Sequence, residues 1–335
     1  MPSHSFNAFA HRRSGPTKNV FRAFAPGGIG NLGPGIDILG CAVTGPGDVV
    51  EATTVDGTGV RIEAPGHPDL PTDPERHASG VAAVEVLRRA QATTVGVALR
   101  IEKHLPLAGG QGGSAASAIA GAVAVNALLG SPLDNHELLL AALVAEERVA
   151  GRHLDNLAPA LLGGIVLVRS IEPLVLVRLP VPPTLRVVLI HPEMQLRTAD
   201  ARAVLPSVVD RATAMAQASA VASMVAAFCT GDLSLLRGAI VDGIAEPARS
   251  NLLPGFLDAK AAALSSGALG CSIAGGGPSA FALVDGDECS QTVLAAMLDA
   301  YRASGMEASG RVAQIDERGA RIEHGEVYER PGPVA

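Results

Sequence analysis

Pro106-Leu107-Ala108-Gly109-Gly110-Gln111-Gly112-Gly113-Ser114-Ala115-Ala116-Ser117 is the stretch on which the reading of the whole chain turns. Ahead of it, Val95 to Lys103 largely alternates its apolar residues (Val95, Val97, Leu99, Ile101), which predicts a strand. Behind it, the alanine-rich run Ala115 to Leu129 predicts a buried helix. Four glycines in five positions let backbone N–H groups turn inward with no side chain in the way. Ser114 falls where a helix N-cap belongs, followed by unsatisfied amides at the positive end of a dipole. Strand, glycine loop and helix N-terminus together make an anion site, most often for phosphate. The competing explanation is that small residues merely let helix and strand pack closely. So glycine-dense a loop opening directly into a helix favours the anion. It is neither a Walker A motif, since Gly113 is followed by Ser114-Ala115 rather than Lys-Ser/Thr, nor a GxGxxG dinucleotide fingerprint.

With 335 residues, two domains are the default. The chain is 48% apolar and 18% charged, the balance of a globular protein. No Trp, two Tyr and seven Phe leave aliphatic cores and make stacking on bases an unsuitable binding mode. A net charge of −7, with no basic run beyond Arg12-Arg13 or Arg88-Arg89, speaks against a nucleic-acid partner. Cys41, Cys229, Cys271 and Cys289 form no CxxC pair and read as free thiols of a reducing cytoplasm. Residues 1–19 lack an apolar core segment and read as a disordered leader rather than a secretory signal. No apolar run free of charges and turn residues approaches the roughly 20 residues of a membrane span, so no membrane partner is expected.

Along the chain, Phe21 to Ala25 reads as a strand, followed by a glycine-rich turn from Gly27 to Asp37. Ile38 to Val43, Asp48 to Val55 and Val60 to Glu63 read as strands, and His77 to Arg89 as a helix. Asp134 caps a helix from His136 to about Val149, and Leu161 to Val168 reads as an apolar strand. The proline-rich segment Glu172 to Pro183 is the expected domain boundary. Beyond it come a strand (Leu185 to Ile190) and helices at Thr198 to Leu205, Ser207 to Phe228, Leu233 to Ile240 and Leu257 to Leu264. Cys271 to Ile273 and Phe281 to Val284 flank the turn Gly275-Gly276-Gly277-Pro278-Ser279, and helix Ser290 to Tyr301 and strand Arg311 to Ile315 close the pattern. Mixed runs of strands and helices indicate an α+β architecture. The expected division is leader 1–19, first domain 20–172, second domain 173–320 and tail 321–335.

Three glycine-built segments, around Gly30-Asn31-Leu32-Gly33, Gly109 to Ser114 and Gly275 to Ser279, stand in an order that resembles the three signature motifs of the GHMP kinases. Within that superfamily, His153-Leu154-Asp155-Asn156-Leu157-Ala158-Pro159 resembles the H-x-D-N-x-A-P block of the homoserine kinases. Glu246-Pro247-Ala248-Arg249 followed by Leu252-Leu253-Pro254-Gly255 resembles their E-P-x-R and L-x-P-G blocks, and Thr198 with Arg202 a T-x-x-x-R pattern. The resemblance spans about Phe21 to Ile315. It implies an N-terminal domain like domain 2 of ribosomal protein S5, a ferredoxin-like C-terminal domain, an active site between them, and a homodimer.

It further implies ATP and L-homoserine as substrates, with Mg²⁺. The loop Pro106, Leu107, Ala108, Gly109, Gly110, Gln111, Gly112, Gly113, Ser114, Ala115 and Ala116 would hold the nucleotide, mainly through amides. Homoserine carries a carboxylate, an ammonium and a hydroxyl. Arg202 and Arg249 suit the carboxylate, Asp37 or Asp155 the ammonium, and Asn31 and Asn156 the hydroxyl, with Thr198 and His153 nearby. Catalysis would fall to Asp155, Asn156 and Ser114 through positioning. Glu146, with Ser114, is the candidate for the metal, and Glu147 is its rival while helix register is open. Two departures from the resembled family stand out: Gln111 and Gly113 stand where its second motif has a leucine and a serine, and Gly27-Gly28 or Gly28-Ile29 where its first has two serines. A backbone cradle survives such changes because amides need no side chain.

Overall fold

The structure, a computed structural model, describes residues 19–148 and 151–326. The expected leader, the end of the tail and Val149 at the expected helix end lie wholly or almost wholly outside these residues. In chain order, β1 (Val20–Gly30), β2 (Leu39–Val55) and β3 (Gly59–Ala64) precede α1 (Ala78–Arg89) and β4 (Gly96–Glu102). Then come α2 (Gly113–Leu128), α3 (Asn135–Glu147), α4 (Leu157–Leu162), β5 (Ile165–Ile171) and β6 (Leu174–Leu179). β7 (Leu185–Pro192), α5 (Thr198–Ala203), α6 (Arg211–Thr230), α7 (Ala245–Arg249) and α8 (Phe256–Ser265) follow. β8 (Gly270–Ile273), β9 (Ala280–Asp285), α9 (Asp287–Ala303), β10 (Ala308–Ala313) and β11 (Arg321–Glu326) complete the order.

Among the described residues seven strands form the first sheet, in the path β11-β1-β2-β4-β3 with β5 pairing β2 and β6 pairing β5. Helices α1 to α4 bury their alanine, valine and leucine side chains against it. The second sheet runs β10-β7-β9-β8, the ferredoxin-like order, with α8 and α9 covering one face. Its other face shares an apolar core with β1, β2 and β5 through Ile29, Leu39, Ile165, Leu189 and Phe281. This common core joins the two domains, each buried apolar side chain adding to their cohesion at roughly 25 cal/mol per Å².

Several sequence expectations shift. The expected glycine turn at 27–30 is instead the end of β1, paired with Gly40 to Ala42 of β2, because glycines without side chains still ladder through their backbone. The two expected strands 38–43 and 48–55 are one long β2. Leu161 and Leu162 end α4 rather than begin a strand, and Gly163 and Gly164, both at positive φ, make the turn into β5. The expected boundary 172–183 contains β6, which pairs with β5, so the first sheet runs past residue 172 to Leu179. Residues 321–326 of the expected tail are β11, antiparallel to β1. The expected helix 233–240 shrinks to a 3₁₀ turn, Leu233–Leu236. Among the described residues one helix, α6, is long and apolar enough to cross a membrane by length and composition, against the expectation of none. Its Met224, Ala227 and Phe228 pack into the shared core.

Candidate active site

A cavity of about 560 Å³ lies between the domains, with the glycine loop on one side and α5, α7 and the 275–276 turn on the other. The loop enters α2 through Gly112, which takes the left-handed conformation (φ 67°) and is the helix N-cap. Ser114 is therefore not the cap but the second residue of the helix. Only glycine adopts that left-handed entry cheaply, so the run of glycines moves the helix start ahead of the serine. Backbone amides of Gly113, Ser114 and Ala115 precede the first internal bond, Ala116 to the Gly112 carbonyl at 2.9 Å.

Lys103, unremarked in the sequence, supports the loop from beneath. Its Nζ donates to Asp48 Oδ2, to the Gly113 carbonyl (3.0 Å) and to Ser117 Oγ (3.1 Å), and Ser117 Oγ donates to Asp48 Oδ2 at 2.6 Å. The Asp48 side chain is fully buried. A buried charge pair with each partner hydrogen-bonded is costly to break, so this cluster fixes where α2 begins. A lysine fifty-five positions from its aspartate gives no sequence signal. Gln111 does not line the cavity: its amide turns to the far side and donates to Ser279 Oγ at 3.2 Å. Ala116 is buried in the first core instead of facing the cavity. The other expected loop residues from Pro106 to Ala115 line it.

Asp155 and Asn156 sit at the start of α4, where β1 lacks side chains. A Cβ on Gly30 would collide with both, and one on Gly40 with the Asp155 carbonyl, so these two glycines admit the segment to the sheet. Asp155 Oδ2 accepts from the Asn31 backbone N–H at 3.0 Å and from Asn156 Nδ2 at 3.3 Å. Burial, reinforced by Asp37, pushes its carboxyl up to about 6. Asn156 Oδ1 is buried with no partner among the described residues. An unmatched acceptor inside a cavity costs about 1–3 kcal/mol unless a ligand donates to it.

Glu146 decides the helix register in its own favour. It is buried, lines the cavity, and burial followed by the charge of Asp155 pushes its carboxyl up to about 7. Glu147 faces away, paired with Arg152 at 3.2 Å. Two neighbouring buried carboxylates whose ionisation is resisted suit a cation. For Mg²⁺, which takes one or two carboxylates plus phosphate oxygens and water, Glu146 with the Ser114 hydroxyl beside the amide cradle is a fitting donor set.

The expected acceptor groups partly engage one another. Arg202 Nη2 donates to Asp37 Oδ1 at 2.8 Å, and His153 Nδ1 lies 3.2 Å from the same oxygen. Asp37 and His153 do not line the cavity and stand behind Arg202, so Asp37 steadies an arginine where a direct contact to an ammonium was expected. Arg202 Nε is buried without a partner among the described residues. Asn31 commits both ends of its amide to backbone, donating to the Gly275 carbonyl (2.8 Å) and accepting from the Asp37 N–H (2.9 Å). Asn31 and Asp37 both adopt positive φ, a strain that this bonding holds in place. Asn31 is thus a staple between motifs more than a free contact to a hydroxyl. Arg249 is buried, its Nε donating to the Ala201 carbonyl (2.9 Å) and Nη1 to the Gly275 carbonyl (3.1 Å), which aims the remaining edge of the guanidinium at the cavity. Burial holds its pKa below the usual arginine value. Thr198 opens α5 on the cavity wall.

Residues 78–164 match the model of the GHMP kinases N-terminal domain and residues 224–303 that of the GHMP kinases C-terminal domain. A homoserine kinase of Chlorobium phaeovibrioides is 42% identical over 315 residues, covering 90% of this chain and 98% of that protein. One from Arabidopsis thaliana is 40% identical, covering 90% and 84%. The crystal structure of homoserine kinase from Cytophaga hutchinsonii superposes with a TM-score of 0.87 at 38% identity, covering 94% of this chain and all of that one. Fold, glycine loop and interdomain cleft make this a GHMP kinase, a two-domain phosphotransferase. With relatives so similar over nearly its full length, the chain belongs to the homoserine kinase family.

Proposed function

We propose that the protein transfers the γ-phosphoryl group of ATP to the side-chain hydroxyl of L-homoserine, giving ADP and O-phospho-L-homoserine for threonine biosynthesis. The observation that carries this reading is the cleft itself. An amide cradle on one domain opens toward two arginines of the other, with the orphaned Asn156 Oδ1 between them. The arginines take the carboxylate, Arg249 through its free edge and Arg202 held in place by Asp37. Asp155, ionised once the ammonium is beside it, holds the amino group on the same α-carbon, which leaves the hydroxyl at the far end of the molecule for Asn156. Asn156 Oδ1 accepts the hydroxyl proton's hydrogen bond and turns an oxygen lone pair toward the phosphoryl group. No lysine stands in the first motif, and Lys103 is committed to Asp48, so alignment of the hydroxyl supplies most of the rate. Mg²⁺, when bound by Glu146 and Ser114, would neutralise charge on the phosphates. The enzyme would act in the cytoplasm as a homodimer, with neither nucleic acid nor membrane as partner.

ADP release measured with homoserine, mevalonate and shikimate in parallel tests the reading. Turnover with homoserine alone is expected. Turnover with another alcohol would reassign the acceptor, and ATP binding without turnover would mark a regulatory protein on the same fold.

A further inference from the structure

Behind the phosphate loop lies a second cavity, of about 520 Å³, that the phosphoryl-transfer reading leaves without a role. Gln111 forms part of its wall, and its ionisable lining is Lys103, Arg311, His67, His104 and His191, with no carboxylate among the described lining residues. Lys103 is neutralised by Asp48, whereas Arg311 has no ion-pair partner among the described residues. Its Nη1 donates to the Thr44 carbonyl, and its Nη2 is buried with no partner. Burial alone moves its pKa, downward, so no acidic side chain offsets its charge. In a chain of net charge −7, a guanidinium with five N–H donors and a single acceptor is an unmet demand for an anion.

The histidines complete the chemistry. His104 Nδ1 is 3.0 Å from the Gly47 carbonyl and must donate there, leaving Nε2 for a ligand. Ser279 Oγ donates to the Gly109 carbonyl at 2.6 Å, so it accepts from His191 Nδ1 (3.1 Å) and from Gln111 Nε2 (3.2 Å). With its Nδ1–H donating to Ser279 and burial holding its pKa below the usual histidine value, His191 turns an Nε2 lone pair to the cavity, an acceptor for a protonated oxygen of the ligand, and one hydroxyl joins the cavity wall to the phosphate loop.

We propose that this cavity is a second site for a small anion, a phosphate- or carboxylate-bearing metabolite seated on Arg311 and flanked by His104 and His191. It shares Lys103, Pro106 and Leu107 with the interdomain cavity but has Gln111, His104, His191 and Arg311 to itself. Occupancy is linked to the nucleotide through Ser279, because His191, Gln111 and Gly109 all bond to that one hydroxyl.

Titration calorimetry of inorganic phosphate, and separately of citrate, into protein saturated with magnesium AMP-PNP tests this with the nucleotide site filled. At least one anion is expected to bind with one-to-one stoichiometry. Tighter phosphate binding marks a phosphoryl ligand, and tighter citrate binding a carboxylate. Arg311→Gln should weaken binding by about tenfold or more, the loss of one hydrogen-bonded charge. Ser309→Glu, at an exposed position on the rim where folding is undisturbed, should weaken it comparably by repulsion, and both variants should retain wild-type AMP-PNP affinity. Absence of binding to the nucleotide-saturated protein, or equal affinity in both variants and the wild type, would overturn the proposal. Turnover with homoserine is measured independently, so either reading can fail alone.

Discussion

The end of the cleft proposed for phosphate is lined by backbone amides of one loop and one helix start, whereas the end proposed for the acceptor is lined by side chains drawn from both domains. The loop tolerates glutamine at 111 and glycine at 113 because the groups that matter are N–H bonds, fixed by Gly112 and by Lys103 beneath. The acceptor end has no such freedom: Asp155, Asn156, Arg202 and Arg249 each carry a specific donor or acceptor whose loss nothing nearby replaces. A backbone site is defended by geometry and a side-chain site by identity, and substitutions should separate the two.

The sharpest break is Asn156→Ala. Removing the orphaned acceptor should lower kcat by roughly 10²–10³-fold while leaving the KM for ATP near its original value. Steady-state kinetics with both substrates varied checks this, and an effect confined to KM would remove Asn156 from the chemistry. Next in size is Arg249→Lys, which keeps a charge but loses the fork that bonds Ala201 and Gly275. The KM for homoserine should rise by about 10- to 100-fold, with ATP affinity unchanged.

Asp155→Asn should show the conflict between stability and function. An aspartate ordinarily titrates near 3.9 in the unfolded chain, and here burial pushes the folded value up to about 6. The folded state binds more protons across that interval, so stability falls as pH rises through it, and the full cost is present above the folded value. The unliganded Asp155→Asn protein, free of that cost, should be more stable than wild type by about 2–3 kcal/mol above pH 7. The gap should close below pH 4 in urea melts, although turnover is lost at every pH. The smallest effects belong to the loop. Gly110→Ala forces a residue at φ +76° whose Cβ would stand 2.6 Å from the Ala274 and Gly277 carbonyls. It should cost about 1–2 kcal/mol from the left-handed backbone alone and weaken ATP binding. Gly113→Ser places its Cβ 3.2 Å from Lys103 Nζ and in ordinary contact with Leu105 and Pro106 and should stay within about 0.5 kcal/mol of wild type, as thermal melts with and without ATP would record.

Much of this was legible in the sequence, and for one reason. Glycine spacing and contiguous blocks such as His153 to Pro159 mark the site, and β4 and α2 around the loop fall close to where the periodicity puts them, whereas Leu161 and Leu162 at the end of α4 read by sequence as the start of a strand. What escaped was long-range. β6 and β11 are short strands whose composition says nothing about which sheet receives them. Lys103 looked like the end of a strand because its partner Asp48 lies on another. The meeting of Asp37 with Arg202, 165 residues apart, turned two expected ligands into a mutually supporting pair. Glu146 was separable from Glu147 only once α3 had a buried side.

The return of β11 to β1 bears on how the molecule is made. Arg22 bonds Glu323, 301 residues further along, so the first domain finishes its sheet only after the entire second domain has been synthesised. On the ribosome the outer edge of β1 stays open through nearly all of translation, a strand edge able to recruit a foreign strand. The final strand thus acts as a clasp, and a chain shortened by its last described strand would keep both cores while leaving that edge unfastened.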